Sequence, residues 1–253
     1  MTVRTAACLA ARRIPAARRE YRYLPASPGS PCRPLPFSAL AVFCVSVFSV
    51  SKAFAVAYNP NMPTNILLSG VGGQGIVTAS TVLAEAALLS GCQVKKSEIH
   101  GMSQRGGSVE SHVRYSPEEP VYSPTIPAGE ADILMAFEAL EALRALPNTC
   151  PDALILVDDR RIPPMSVVGG QFAYPEDPIA DLRASGRRIQ VVDSFRIASE
   201  LGEVRAANLV MLGAASNHLP GMDPTVWHKA IAAVVRPKAL EVNLKAFEAG
   251  KAV

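Results

Sequence analysis

The stretch SGVGGQGIVTAS, residues 69–80, determines how the rest of this 253-residue chain is interpreted. Its glycines Gly70, Gly72 and Gly75 form a G-x-G-x-x-G pattern directly after the apolar run NILL. Residues 75–91 then place apolar side chains at helical spacing and finish on a glycine, which favours a helix C-terminus there. The pattern predicts a buried strand, a tight glycine turn and a helix, which is how an open α/β sheet begins.

Apolar and amphipathic segments continue to alternate along the chain. We predict strands at 65–69, 92–98, 108–116, 131–137, 153–159 and 188–193, and helices at 75–91, 138–146, 195–202, 206–219, 224–235 and 238–250. The runs ADILMAF and ALILVDD are typical of central parallel strands, whereas SVESHVRYS alternates and predicts a strand with one exposed face. We therefore expect an α/β fold with a single open, mostly parallel sheet flanked by helices, a Rossmann-like three-layer domain at 62–253.

The first 61 residues differ from the rest in charge. They carry eight Lys and Arg and one acid, whereas residues 62–253 carry 17 basic and 21 acidic residues. The mildly acidic body does not support nucleic-acid binding. The apolar run within 37–55 fits a secretory signal but is shorter than the roughly 20 residues of a membrane span. We favour the alternative that 1–61 is a largely disordered extension or a start set too early, which predicts a cytoplasmic protein without a membrane partner.

The glycine loop alone does not decide between a site for the phosphates of a dinucleotide and a turn that binds nothing. Glycines permit close backbone approach to an anion, and a helix N-terminus offers it free N–H groups. Glu98 follows Gly75 by 23 residues, where a dinucleotide site would carry its ribose-binding acid. Gln74 and Gly73 within the loop, and the polar strand VKKSE, count against a nicotinamide site. A tight turn that needs glycine only for packing explains the same pattern.

A second glycine-rich loop lies between the strands predicted at 92–98 and 108–116. It carries His100, Gln104 and Arg105, followed by Gly106 and Gly107, and an exposed guanidinium beside bare backbone N–H groups suits a phosphate or carboxylate. Both loops are expected at the same end of the sheet. The candidate ligand-binding or partner-facing residues are therefore Gly70, Gly72, Gly73, Gln74, Gly75, His100, Gln104, Arg105, Gly106 and Gly107.

Three stretches of the chain resemble one family. GVGGQGIVTASTVLAEAALLSG, SEIHGMSQRGGSVESHVRYS and GEADILMAFEALEALR are similar to the gamma-type domain of 2-oxoacid:ferredoxin oxidoreductases. The form HGMSQRGG is most similar to the small (beta) subunits of the indolepyruvate-type enzymes, and ASELGEVRAANLVMLGA and EVNLKAFEAG agree. The resemblance covers nearly all of 62–253 and none of 1–61.

The resemblance implies an enzyme that converts a 2-oxoacid and coenzyme A into an acyl-CoA and CO2, with electrons passing to ferredoxin. It also implies thiamine diphosphate, Mg²⁺ and 4Fe–4S clusters. This chain has no G-D-G run, no Asn-Asn pair and no C-x-x-C among its five cysteines. We therefore expect those cofactors in a large (alpha) partner subunit, none bound by this chain alone, and the two loops facing the partner's active site. Arg105 would then meet a phosphate of coenzyme A or the 2-oxoacid carboxylate.

No residue is assigned a catalytic role, and no metal site is predicted. Asp158 and Asp159 follow a buried strand and are expected to be solvated acids of a strand-end turn. His112 is expected to be a hydrogen-bonded histidine of a strand rather than a catalyst, and Arg205 and Asn208 are explained by packing and helix entry. Two other readings stay open: a stand-alone NAD(P)-dependent dehydrogenase that uses Glu98, and a non-catalytic binding module.

Overall fold

The computed structural model describes residues 62–101, 106–219 and 222–253. The predicted extension at 1–61 with its signal-like stretch, and the candidate residues Gln104 and Arg105, lie outside the described residues. No helix in the described ranges is both long and apolar enough to cross a bilayer.

Every predicted strand and helix is present in the described ranges. The strands are β1 (Thr64–Val71), β2 (Gln93–His100), β3 (Ser108–Ser116), β4 (Ala131–Ala136), β5 (Thr149–Val157) and β6 (Arg188–Val191). The helices are α1 (Ile76–Leu89), α2 (Ala139–Ala145), α3 (Met165–Val168), α4 (Pro178–Ala184), α5 (Ser194–Glu200), α6 (Ala207–Ser216), α7 (Trp227–Val234) and α8 (Pro237–Lys251). The short helices α3 and α4 are additions to the prediction, since neither is long enough to show a clear helical period.

The six strands form one sheet in the order β2-β3-β1-β4-β5-β6. The pairings β1–β4, β4–β5 and β5–β6 are parallel, whereas β3 is antiparallel to both of its neighbours, β1 and β2. Five strands therefore run in one direction and β3 runs against them. The expectation of an open, mostly parallel sheet is confirmed, with the addition that the sheet is mixed.

Helices cover both faces of the sheet and divide the core into two apolar layers. The larger layer packs side chains of α1, α6, α7 and α8 against residues such as Ile66, Leu68 and Met135. The smaller layer packs α2 and α4 against Leu67, Leu134 and others of the opposite face. Alternate residues of β1 thus enter opposite layers, which is why the strand carries the consecutive apolar residues Ile66, Leu67 and Leu68, as a central strand does.

The prediction that β3 has one exposed face was wrong, because the segment after it folds back over that face. The imidazole Nδ1 of His112 accepts a hydrogen bond from the backbone N–H of Ile126 at 3.2 Å. The Arg114 guanidinium donates to the carbonyls of Ser123 and Thr125, each at 3.2 Å. His112 is left 6% exposed, so its role as a hydrogen-bonded strand histidine is confirmed.

Two glycines allow α6 and α8 to cross at close range. A Cβ added at Gly213 would overlap the carbonyl oxygen of Phe247, and one added at Gly250 would overlap that of Val210. Backbone therefore packs directly on backbone at this crossing. Gly213 and Gly250 lie in the C-terminal halves of their helices, so this contact fixes α8 against α6 there.

Candidate functional site

The glycine turn between β1 and α1 is closed by its own side chains and by α6. The Gln74 side chain accepts from the Val71 N–H at 2.6 Å and donates to the Phe137 carbonyl at 2.5 Å. Gly75 has φ +80°, and a Cβ there would lie 2.6 Å from the Asn208 amide nitrogen, which donates to the Gly75 carbonyl at 3.1 Å. Glycine is therefore required at 75 on both conformational and steric grounds. Gln74 stabilises the turn, because both the oxygen and the nitrogen of its side-chain amide form hydrogen bonds within it.

The two glycine-rich loops predicted to share one end of the sheet do meet there. The Gly72 N–H donates to the Gly107 carbonyl at 2.9 Å. His100 is exposed at the end of β2, and its Nδ1 lies 3.2 Å from the Gly101 carbonyl oxygen. Gly106 is also exposed and has φ +74°.

A first cavity of about 390 Å³ lies on the β2 and β3 side of the glycine turn. Val71, Ile76, Val77 and Val109 give it apolar walls, and Glu98 and His100 stand at its rim together with Gly72, Gly73 and Gly75.

A second cavity of about 580 Å³ lies on the other side of the same turn. The starts of α1, α6 and α8 all line it, through Gly75, Ala207 and Lys238 among others. None of these three helices has a side chain capping its N-terminus. The start of α1 presents backbone N–H groups without a side-chain cap, whereas the starts of α6 and α8 are partly satisfied: the Leu209 N–H donates to the Asn208 side chain and the Ala239 N–H to the Arg236 carbonyl, each at 2.9 Å. The positive ends of three helix dipoles nevertheless converge here, which favours a bound anion.

Cationic side chains strengthen the positive field of the second cavity. It is lined by Arg160, Arg205, Arg236 and Lys238, against the two acids Asp158 and Glu203. Glu203 is already paired with Arg205 at 2.7 Å. Arg236 and Lys238 are exposed, and no carboxylate in the described part of the chain forms an ion pair with either. They are therefore available to a phosphate or carboxylate.

Arg160 is held in place by two contacts. Its guanidinium carbon lies 4.5 Å from the centre of the Phe195 ring, a cation–π geometry. Its carbonyl accepts from the Ala139 N–H at 3.1 Å, beside the buried carboxylate of Glu138. That carboxylate accepts from the Ile162 N–H at 3.1 Å and from the Tyr174 hydroxyl at 2.5 Å. The segment after β5 is thereby fixed, and Arg160 is presented to the cavity.

Asp158 lies at the wall of the second cavity, and the expectation that it is a solvated acid was wrong. It is 4% exposed, whereas its neighbour Asp159 is exposed. The Ser194 hydroxyl donates a short hydrogen bond to its carboxylate. Burial raises the pKa of Asp158 to about 6, an effect that the Ser194 hydrogen bond only partly offsets.

The sheet topology does not support a nicotinamide site. In a dinucleotide-binding unit, the strand that carries the ribose-binding acid lies next to the first strand. Here β3 separates β2 from β1, and the Glu98 carboxylate lies 2.7 Å from the Lys96 ammonium. Glu98 therefore already has a cationic partner, and although it lines the first cavity with the glycine loop, its strand is not the neighbour of β1.

The residues that line the second cavity were largely missed by sequence reasoning. Arg160, Arg236, Lys238 and Asn243 were not candidates, and Arg205 and Asn208 were assigned to packing and helix entry. One weak signal was present: Arg236-Pro237-Lys238 places two cations around a proline that begins a helix. In the described ranges, no group of three or more His, Cys, Asp or Glu residues is arranged to hold a metal ion.

Comparisons with known proteins agree on one family. The family model for pyruvate ferredoxin/flavodoxin oxidoreductase matches residues 65–253. The chain is 39% identical over 192 residues to the indolepyruvate oxidoreductase subunit IorB of Pyrococcus horikoshii, covering 74% of this chain and 93% of the relative. It is 39% identical over 193 residues to the same subunit of Archaeoglobus fulgidus, covering 75% and 94%.

Solved structures show the same fold. The gamma subunit of a keto/oxoacid ferredoxin oxidoreductase from Geobacter sulfurreducens aligns with a TM-score of 0.56 at 24% identity, covering 74% of this chain and 95% of that one. A 2-oxoglutarate:ferredoxin oxidoreductase from Magnetococcus marinus, solved with 2-oxoglutarate, coenzyme A and succinyl-CoA bound, aligns with a TM-score of 0.59 at 22% identity, covering 76% and 31%.

Proposed function

The chain belongs to the pyruvate ferredoxin/flavodoxin oxidoreductase family as the small subunit of a 2-oxoacid:ferredoxin oxidoreductase, and we propose that its 2-oxoacid is indolepyruvate or another aryl pyruvate. The reaction would be oxidative decarboxylation of the 2-oxoacid with coenzyme A, giving an acyl-CoA and CO2 with electrons passed to ferredoxin. The proposal for the aryl substrate is supported by the 39% identity to indolepyruvate oxidoreductase subunits, against 30% for a ketoisovalerate oxidoreductase subunit.

The role that we assign to this chain is to bind the anionic part of coenzyme A. The observation that carries this assignment is the second cavity, where three helix starts meet four cationic side chains, three of which form no ion pair with a carboxylate in the described residues. Such a field suits the phosphate groups of a nucleotide. The amides of the glycine loop, at Gly73 and Gly75, line the same space and would approach the ligand without a Cβ in the way.

The described residues do not fit the redox cofactors of the family. They contain two cysteines, Cys92 buried and Cys150 half-buried, and no arrangement for a metal ion. Thiamine diphosphate would supply the electron sink for decarboxylation, and iron–sulfur clusters would carry the electrons. We place these groups in a large partner subunit, with ferredoxin reached through the complex, and we place the assembled enzyme in the cytoplasm.

The experiment is a steady-state assay of the assembled enzyme. The full chain is co-expressed with a large thiamine- and cluster-bearing chain encoded in the same genome, and reduction of a low-potential acceptor is followed with indolepyruvate and coenzyme A. Arg236→Ala and Lys238→Ala should each raise the KM for coenzyme A by about tenfold, because each removes a charge-assisted contact of roughly 1.5 kcal/mol. The KM for indolepyruvate should not change.

Matched variants separate this role from general effects on charge. Lys229→Ala removes an exposed lysine of α7 that does not line either cavity, and it should leave both KM values unchanged. Arg105→Ala tests the remaining cation of the predicted site and should also raise the KM for coenzyme A. Equal KM values in all variants would disprove the assignment of the cavity, while full activity of the large chain alone would disprove the proposed subunit role. We expect residues 1–61 to be dispensable, so a truncated chain of residues 62–253 should be fully active.

A further inference from the structure

The strand β2 forms one edge of the sheet, and along its outer side it pairs with no other strand in the described ranges. It is eight residues long, Gln93–His100, and most of its side chains are partly or fully exposed. An exposed edge of this length presents a row of N–H and C=O groups that can pair with another strand. Natural proteins protect such edges with charged residues, and β2 carries Lys95, Lys96 and Glu98.

The geometry of a two-fold pairing limits how β2 could associate with a second copy of itself. In an antiparallel pair, two residues that lie directly opposite each other point to the same face of the sheet. A two-fold axis perpendicular to the sheet also keeps each residue and its copy on one face. The numbers of two opposite residues must therefore both be even or both be odd. Only two such registers pair seven residues of Gln93–His100. One centres on Lys96, and the other centres on Ser97.

The charges of β2 distinguish these two registers. Centring on Lys96 places this lysine opposite its own copy and Glu98 opposite Val94. Centring on Ser97 places each Lys96 opposite the Glu98 of the other copy, twice across the axis. Opposite charges directly across a strand pair stabilise it, and like charges destabilise it. The sequence of the edge is therefore self-complementary in one register.

The side chains that would meet in this register are already ordered. The Lys96 ammonium lies 2.7 Å from the Glu98 carboxylate and 2.7 Å from the Thr81 hydroxyl on α1. The side chains of Lys96 and Glu98 are 23% and 32% exposed, respectively. On the opposite face, Ile99 is 49% exposed and would be covered by the aliphatic part of Lys95 from the other copy. Little side-chain entropy would be lost when the charges of two copies meet.

We propose that two copies of this chain associate through β2, antiparallel and centred on Ser97, to form one continuous twelve-stranded sheet. The pairing is isologous, as expected for a two-fold dimer. It is independent of the coenzyme A assignment, because neither Lys96 nor Glu98 lines the second cavity, although Glu98 stands at the rim of the first.

The experiment uses the full chain and two charge-reversal variants, Lys96→Glu and Glu98→Lys, in sedimentation equilibrium. The unaltered chain should sediment at about twice its 26.8 kDa monomer mass. Each variant alone should dimerise at least about tenfold more weakly, because two opposite-charge pairs become two like-charge pairs. An equimolar mixture should dimerise like the unaltered chain, because both cross-strand pairs are then complementary again.

The mixture also controls for misfolding, because each variant chain keeps its own internal like-charge pair and only the contact between chains is repaired. Amide hydrogen exchange over 93–100 should be slowed in the unaltered chain and in the mixture, but not in either variant alone. A monomeric unaltered chain, or a dimer that survives both reversals, would overturn the proposal. So would exchange at β2 that slows only when the large partner subunit is added, since the edge would then belong to that subunit.

Discussion

Replacing Asp158 with Asn should make the protein more stable at pH 8. The carboxyl group is buried, and its pKa is raised from 3.8 to about 6, mainly by loss of hydration. A group whose pKa is raised on folding favours the folded state below its unfolded pKa, and that contribution is lost as the pH rises through the folded pKa. Two pKa units correspond to about 3 kcal/mol, which is the cost of keeping the carboxylate ionised at pH 8. Asn has no such cost, and its amide oxygen can still accept from the Ser194 hydroxyl.

The assay is urea unfolding of the unaltered chain and of Asp158→Asn between pH 4 and pH 8. The difference in the free energy of unfolding should be near zero at pH 4 and should grow to as much as about 3 kcal/mol in favour of the variant at pH 8. Asp159→Asn is the matched control, because this neighbouring carboxylate is exposed and its replacement should change stability by less than about 0.5 kcal/mol. A variant that is less stable at pH 8, or a difference that does not depend on pH, would show that the buried carboxylate is stabilised by contacts stronger than its desolvation cost.

Two further predictions concern stability. Gly213→Ala should lower the free energy of unfolding by about 1–3 kcal/mol, because its Cβ would overlap the Phe247 carbonyl. Gly101→Ala is the control: space around this residue is open, so the substitution should be nearly neutral in the same urea titration. Burial lowers the pKa of His112, so its contribution to stability is complete above the unfolded value of 6.5 and is lost as the pH falls below it. His112→Gln should therefore flatten the stability profile below pH 6.5 in thermal unfolding, and an unchanged slope there would contradict this assignment.

Most of the fold could be predicted because it depends on local periodicity. β1, β4 and β5 each carry a run of consecutive apolar residues because helices cover both of their faces, and such runs are recognisable from the sequence alone. The direction and neighbours of β3 were not predictable in the same way. An alternating strand reads the same whether it runs parallel or antiparallel, and the segment that covers its second face follows it in the sequence without any apolar period.

The candidate site was predicted only in part. The glycine loops and their position at one end of the sheet follow from the sequence, because the chain must turn there and only glycine adopts φ +80° beside Asn208. The burial of Asp158 was not predictable, since an acid after a strand is usually solvated. Here Ser194, from the start of α5, reaches it with a hydrogen bond.

By itself the sequence determined the α/β architecture, the family and the glycine turn, because each of these depends on patterns of contiguous residues. Only the tertiary structure decided which charges share a space. Arg160 follows β5, while Arg236 and Lys238 flank the start of α8, more than 70 residues later. They line one cavity because α8 packs along α6 beside the end of β5, and Gly213 and Gly250 permit that packing with backbone against backbone. An anion site built from distant helix starts has no local signature, since its field arises from packing and not from any one segment of the chain.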